Sequence, residues 1–289
     1  MMQFISPLRY PGGKGKLGPF FARLLAGQSI SIDSYAEPYA GGAGAGLYLL
    51  SEGYIETLTV NDLNPGIAAF WRAITRSPER FVDRIENEDI TIDAWHRHRA
   101  TYLSPSDHDD ESLGFSTFFL NRCNRSGILG ARPIGGLDQL GRWRIDARFN
   151  RRNLSDRVRC IAKMSEQITV TELPALEFVT LVGRRGDPVL MYVDPPYLVA
   201  GEELYMSLHS WDAHEELARA LSATHHPWIL TYDVDERVRR LYPNSRCLSY
   251  SISHTAHAQR VGHEYMLFSR GLRVADVAVA ARREGTWVP

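Results

Sequence analysis

The stretch from Ile30 to Leu50 limits the architecture more than any other. Ile30 to Glu37 alternates apolar and polar residues, as a strand does. Pro38-Tyr39-Ala40-Gly41-Gly42-Ala43-Gly44-Ala45-Gly46 follows, and Leu47-Tyr48-Leu49-Leu50 continues it as an apolar helix. A strand that passes through a turn of small residues into a helix is a Rossmann-type opening. Small residues let the backbone approach a ligand closely, and the helix N-terminus presents N–H groups. The dinucleotide fingerprint G-x-G-x-x-G is not met, because counting from Gly42 its third glycine falls at Leu47. A nucleotide-like ligand without a pyrophosphate is therefore expected in preference to NAD.

Thr57-Leu58-Thr59-Val60 reads as a second strand, ending in Asn61-Asp62-Leu63-Asn64-Pro65. An acid about 20 residues beyond the glycine turn is placed to accept hydrogen bonds from ribose hydroxyls. Asp62 is that acid. Asn64, directly before a proline at the first helical position, is expected to cap a helix from Pro65 to about Arg76, which leaves Asp62 to a ligand. Ile67, Phe70, Trp71 and Ile74 form one face of that helix and are expected in the core. The pattern stays helical from Ser77 to about Leu103. Ser104 to Glu111 reads as an acidic loop.

The second constraint is Asp194-Pro195-Pro196-Tyr197, at the end of the apolar run Val189-Leu190-Met191-Tyr192-Val193. This run reads as a buried strand, so the tetrapeptide lies at a strand's carboxyl end, where open α/β sheets bind ligands. Two prolines stiffen the chain and remove two N–H donors. The turn then offers carbonyl oxygens, a carboxylate and one aromatic ring. It suits a substrate that brings N–H donors and a flat face, such as the exocyclic amine of a nucleobase. An ordinary rigid loop is the plain alternative.

Ahead of all this, Tyr10-Pro11-Gly12-Gly13-Lys14 leads into helically spaced Leu17, Phe20, Phe21, Leu24 and Leu25. It is not a Walker A loop, but it has the glycine and lysine to meet a ligand. Further along, composition shifts. Residues 113 to 160 carry ten arginines against three aspartates, with no lysine or glutamate, in a chain whose net charge is -1. Such a local excess reads as a nucleic-acid surface, since guanidinium groups bind phosphates and guanine edges bidentately. Salt bridging to the acidic 106–111 loop is the competing reading.

After Arg159 the α/β rhythm resumes. Ile168–Thr171 is expected as a strand ending at Glu172-Leu173, residues 174–182 as a helix, residues 198–211 as a mobile loop, and Asp212 as the cap of a helix through Leu221. Trp228–Asp233 is expected as a strand, residues 248–253 and 265–269 as a terminal hairpin, and the tail after Arg273 as loosely ordered. The three cysteines (Cys123, Cys160, Cys247) show no metal-ligand spacing, and no metal site is expected. No apolar run approaches the ~20 residues that span a bilayer. A cytoplasmic protein is expected.

Four stretches, in order, resemble the Dam-like (D12 class) adenine-N6 DNA methyltransferases: Tyr10 to Lys14, Glu37 to Gly44, Asn61-Asp62 with Asn64, and Asp194 to Tyr197. Asn124 to Gly130 is similar to the family's DNA-reading loop, except that Ile128 and Leu129 stand where the family usually has an aromatic residue and an asparagine. The resemblance implies a Rossmann-like methyltransferase sheet formed by residues 1–76 and 160–289, with residues 77–159 inserted as a mainly helical target-recognition domain. It implies S-adenosylmethionine as cofactor, held by Tyr10, Lys14, Glu37, Pro38, Tyr39, Ala40, Gly41, Asp62, Leu63, Glu172, Leu173 and Asp194. Asp194, Pro195, Pro196 and Tyr197 would act on a flipped adenine. Arg122, Asn124, Arg125, Arg132, Arg142 and Arg144 would meet double-stranded DNA, in a nucleoid-associated protein with room for a cognate restriction or defence partner. The rivals are an RNA or protein-glutamine methyltransferase, a non-catalytic DNA-binding relic of the fold, and an NAD-dependent oxidoreductase.

Overall fold

The computed structural model describes residues 5–10, 14–196, 211–254, 260–275 and 285–288. Its centre is an eight-stranded mixed sheet. The strands are β1 (Ser34–Glu37), β2 (Thr57–Asn61), β3 (Ile168–Thr171), β4 (Val189–Val193), β5 (Trp228–Asp233), β6 (Arg246–His254), β7 (Arg260–Phe268) and β8 (Thr286–Val288), in the order β3-β2-β1-β4-β5-β7-β6-β8. The first five are parallel; β7, β6 and β8 continue antiparallel. All five residues of β4 are buried, as expected of a strand with helices over both faces. The hairpin expected at the C-terminus is not the last element, because β8 pairs with the outer side of β6.

On one face lie α1 (Gly18–Ala26), α2 (Gly44–Ser51), α3 (Pro65–Arg76), α4 (Pro78–Asn87), α5 (Ile92–Leu103), α6 (Asp110–Cys123) and α7 (Arg151–Ala162). On the other lie α8 (Ala175–Gly183), α9 (Trp211–Ala223) and α10 (Glu236–Leu241). Asn64 caps α3, its side chain accepting from the N–H groups of Gly66 and Ile67 at 3.0 and 3.3 Å. Asp212 lies inside the first turn of α9 and not at its cap.

The helical segment 77–159 shares one core with α3. Phe118 of α6 meets Phe70 of α3, stacked at 6.1 Å, and Phe118 and Phe115 both meet Phe81 of α4. The crossing is close. A Cβ on Gly114 would stand 2.7 Å from the Ala69 carbonyl oxygen, so only glycine fits there. The expected acidic loop is partly helix: Asp109 caps α6 by accepting from Ser112 N–H at 2.7 Å, and Asp110 and Glu111 occupy its first turn. Acids there favour the positive end of the helix dipole. Among the described residues no helix is long and apolar enough to cross a membrane, and no group of side chains is arranged to hold a metal ion.

Candidate active site

The strand order turns distant residues into neighbours. β1 and β4 are adjacent, yet the chain leaves them in opposite directions along the sheet, which makes their carboxyl ends the topological switch point. Glu37 ends β1 and Asp194 follows β4 directly. Asp62 follows β2, and Glu172-Leu173 follow β3. With strands spaced about 4.8 Å apart, one edge of the sheet presents Glu172-Leu173, Asp62, Glu37 and Asp194 in that order.

Each carboxylate in the middle of this row is fixed by the backbone around it. Asp62 accepts from Gly41 N–H through Oδ2 and from Asn64 N–H through Oδ1, both at 2.9 Å. Glu37 accepts from Gly46 N–H, at the start of α2, at 3.1 Å. Asn61 ties the row together. Its amide donates to the carbonyls of Pro38 and Leu173 at 2.9 and 3.0 Å, and its Oδ1 accepts from Leu173 N–H at 2.9 Å. Gly41 has φ +46°, and a Cβ there would stand 2.7 Å from the Tyr10 ring, so the aromatic packs this close to the turn only because the residue is glycine. Trp71, expected in the core, is buried and donates to the Gly41 carbonyl at 2.9 Å.

Asp194 is held asymmetrically. Its Oδ1 accepts from the Thr231 hydroxyl on β5 and faces Lys14 Nζ at 3.3 Å. Lys14 is buried and also pairs with Glu264 of β7 at 2.6 Å. Oδ2 of Asp194 has no partner among the described residues, on a side chain that is 26% exposed. Pro195 is buried and Pro196 half-buried. Tyr197 lies outside the described residues, as do the Pro11-Gly12-Gly13 turn, most of the 198–211 loop and much of the tail.

All three acids are reluctant to ionise. Burial pushes Glu37 up to about 8, against the pull of Gly46 N–H and Tyr35 and with a push from Asp194. Burial likewise lifts Asp62 to about 6. Asp194 is raised by burial and by Glu264, while Lys14 and Thr231 work the other way. Buried carboxylates whose ionised forms are disfavoured suit a ligand that brings positive charge and hydrogen-bond donors.

Comparison with known families places the chain. The family model of the D12 class N6 adenine-specific DNA methyltransferases matches residues 10–258. The chain belongs to this family. No curated relative matches it at a significant level. Among solved structures it is similar to the rRNA methyltransferase aviRa from Streptomyces viridochromogenes, at 12% identity and a TM-score of 0.38 over 91% of this chain and 87% of that one. A precorrin-6y C5,15-methyltransferase from Geobacter metallireducens is similar at 10% identity and a TM-score of 0.33, over 86% and 84%.

For a D12-class chain, the remaining expected residues fall in two groups. Pro38 and Leu173 brace the row through Asn61, Ala40 N–H donates to the Asn61 carbonyl, Gly41 N–H holds Asp62, and Leu63 follows Asp62 directly. Tyr39 turns away into the opposite core beside Tyr232 and Tyr242, and burial raises its hydroxyl. Glu172 carries an ion pair to Arg72 at 2.9 Å.

In the arginine-rich stretch, Arg125, Arg132, Arg142 and Arg144 are exposed. Arg122 and Asn124 are not on the surface in the way the sequence suggested. Arg122 donates to the carbonyls of Arg148 and Pro7, and burial with Arg9 and Arg157 nearby pushes its guanidinium down from the usual arginine range. Asn124 is fully buried, accepts from Trp95 Nε1 at 2.6 Å, and donates to the Ile128 and Leu129 carbonyls, so its amide shapes the loop from within. Two acids of the 106–111 loop are engaged elsewhere, Asp110 by Arg72 and Arg76 and Glu111 by Arg80, whereas Arg159 at the end of the stretch pairs with Glu79 and Glu86. Sequence reasoning missed Thr231 and Glu264, which stand far along the chain from the motifs they support.

Proposed function

We propose that the chain transfers the methyl group of S-adenosylmethionine to N6 of an adenine in double-stranded DNA, reached by flipping the base out of the stack. The observation that carries this reading is Asp194. One oxygen is occupied by Thr231 and Lys14, and the other stands ready for a donor. An adenine amine offers two N–H groups. Asp194 Oδ2 accepts one and the Pro195 carbonyl the other, which draws the nitrogen from planar toward tetrahedral geometry and frees its lone pair. An acceptor aimed at charge that develops in the transition state contributes roughly 3 kcal/mol, by analogy with a single oxyanion-hole donor.

The cofactor supplies a methyl group on positively charged sulfur, with a neutral thioether as the leaving group. The row of strand ends would hold it in order: Leu173 and Glu172 by the adenine ring, Asp62 by the ribose hydroxyls, and Glu37, Pro38, Ala40 and Gly41 with Tyr10 by the amino-acid part. The raised acids at Glu37, Asp62 and Asp194 fit a cationic, donor-rich ligand. After transfer the nitrogen holds one proton too many. Asp194 Oδ2, already hydrogen bonded to it, is the acceptor at hand, and its raised pKa makes it a better base than an exposed carboxylate.

A base inside a duplex cannot reach this cleft, so extrusion is required, and Tyr197 would stack on the extruded ring. The segment 77–159 would read the target. Arg125, Arg132, Arg142 and Arg144 face solvent there, with Arg142 5.4 Å from the exposed Trp143 ring. Such a protein works in the compartment that holds DNA, beside a cognate restriction or defence partner where one exists.

The test is incubation with labelled S-adenosylmethionine and PCR-amplified bacterial DNA, followed by nucleoside analysis. N6-methyladenine from the wild type, none from Asp194→Ala, and retained DNA binding in that variant are expected. Methyl groups appearing only on single-stranded RNA or on protein would overturn the DNA reading.

A further inference from the structure

Two carboxylates flank the Lys14 ammonium, and only one belongs to the Asp194-Pro195-Pro196 turn. The other is Glu264, in the middle of β7, with no solvent exposure. It takes the shorter contact, 2.6 Å against 3.3 Å to Asp194. Tyr250, on the paired strand β6, also donates to the Glu264 oxygen that holds Lys14. Burying a carboxylate this deep is costly unless it is paired and hydrogen bonded, and Glu264 is both. Packing alone does not call for a charge at this position, since its neighbours on β7, Tyr265 and Met266, are core residues.

We propose that Glu264 is a positioning residue for the methyl-transfer reaction: it holds Lys14 off-centre, so that the ammonium touches Asp194 only at Oδ1 and leaves Oδ2 to the substrate amine. The inference rests on the reading of Asp194 as the acceptor of that amine. Without Glu264, the carboxylate that competes with Asp194 for the buried ammonium is gone, and Lys14 would close on the turn. Asp194 would then be a neutralised ion pair, a poor acceptor for an amine that is gaining positive charge. With Glu264 in place, two carboxylates share the Lys14 ammonium, and Asp194 keeps acceptor strength beneath the position where that charge develops. Thr231, itself bonded to Tyr192 at 2.9 Å, loads the same Oδ1 from the other side.

The arrangement has a signature that simple bracing lacks. Among the described residues, the charged and titratable groups around Asp194 are Lys14 ahead of α1, Glu264 on β7, Tyr192 on β4, and Tyr35 and Glu37 on β1, with Tyr250 of β6 behind Glu264. Glu264 disfavours ionisation of Asp194 and Lys14 favours it. Removing the two partners must therefore displace the acidic limb of the kcat–pH profile in opposite directions.

The experiment measures kcat and its pH profile on PCR-amplified DNA, with cofactor affinity by calorimetry, for the wild type, Glu264→Gln and Lys14→Gln. Glu264→Gln is expected to lower kcat about tenfold or more, with cofactor Kd within about threefold, and to move the acidic limb to lower pH. Lys14→Gln is expected to move the limb to higher pH, and Glu264→Asp, which restores the charge, to return it toward the wild-type position. A folded Glu264→Gln protein with unchanged kcat and limb overturns the inference. If Glu264→Gln does not fold, Tyr250→Phe, which removes the hydroxyl that holds the Glu264 oxygen facing Lys14, decides: a lowered kcat with a displaced limb supports the inference and wild-type values overturn it. A wild type that makes no N6-methyladenine sinks the proposed function itself. An active wild type with an indifferent Glu264→Gln sinks only the role of Glu264.

Discussion

Asp62 gives the sharpest test of how the cleft binds its cofactor. Both of its oxygens accept backbone N–H groups, from Gly41 and Asn64, at 2.9 Å. A proton on Asp62 must therefore sit on one of the lone pairs that remain, and those are what a ribose diol would use. Burial lifts its pKa from 3.8 to about 6. The folded state thus binds this proton more tightly than the unfolded chain does. The stabilisation from the protonated acid is lost as pH rises from about 4 through about 6, and the difference amounts to about 3 kcal/mol at neutral pH. Two ribose hydroxyls donating to the ionised acid would recover part of that cost, since hydrogen bonds to charged groups contribute roughly 1.5–3 kcal/mol each.

The contribution of Asp62 to cofactor affinity should then be full above about pH 6 and fall by up to about tenfold per pH unit below it. Asp62→Asn should raise the Kd at pH 7.5 by roughly 10- to 100-fold, the loss of one charged hydrogen bond, and abolish the limb below about pH 6. Glu37, held at about 8, contributes its own slope at higher pH. The diagnostic is therefore the difference between wild type and variant. Isothermal calorimetry across about pH 5 to 8 measures it. Identical profiles for the two proteins would refute the assignment of Asp62 to the ribose.

Gly41→Ala forces a side chain into φ +46° and against Tyr10; it should lower stability by roughly 1–2 kcal/mol from the backbone alone and weaken cofactor binding, and an unchanged Tm and Kd would contradict the packing described. Replacing Arg132, Arg142 and Arg144 together by alanine should weaken DNA binding at all sequences. It should also flatten the salt dependence by about 0.9 in log–log slope for each phosphate that is no longer neutralised; fluorescence anisotropy between low and moderate salt reads this, and an unaltered slope removes these residues from the DNA surface.

The parts of the site that the sequence disclosed are those in which position along the chain implies position in space. Asp62 and Asp194 each end a strand, and a strand's carboxyl end is a defined place in a parallel sheet. Asn64 was legible because capping is local. Glu264 carries no such mark. It lies 250 residues from Lys14 in a strand of ordinary composition, and only the antiparallel return of β7 beside β5 brings the two together. Charge counting misled at Arg122 for a related reason. The excess of arginine between residues 113 and 160 is real, but counting cannot separate guanidinium groups that face solvent from those spent on backbone carbonyls. The same excess masked α6, whose Phe115, Phe118 and Phe119 follow helical spacing and fill the core against α3.

The short segment before Lys14 joins two regions that the chain keeps far apart. Arg9 exchanges both of its backbone hydrogen bonds with the Asn121 amide, at 2.7 and 2.8 Å, and its neighbour Tyr10 lies on Gly41. The end of α6, where the arginine-rich loop begins, is thus two residues from the turn under Asp62. On the proposed function, a duplex bound at that helix end would act on the turn through Arg9 and Tyr10. Thermodynamic reciprocity then requires that whatever factor the duplex imposes on affinity at the turn, a ligand seated there imposes on the duplex.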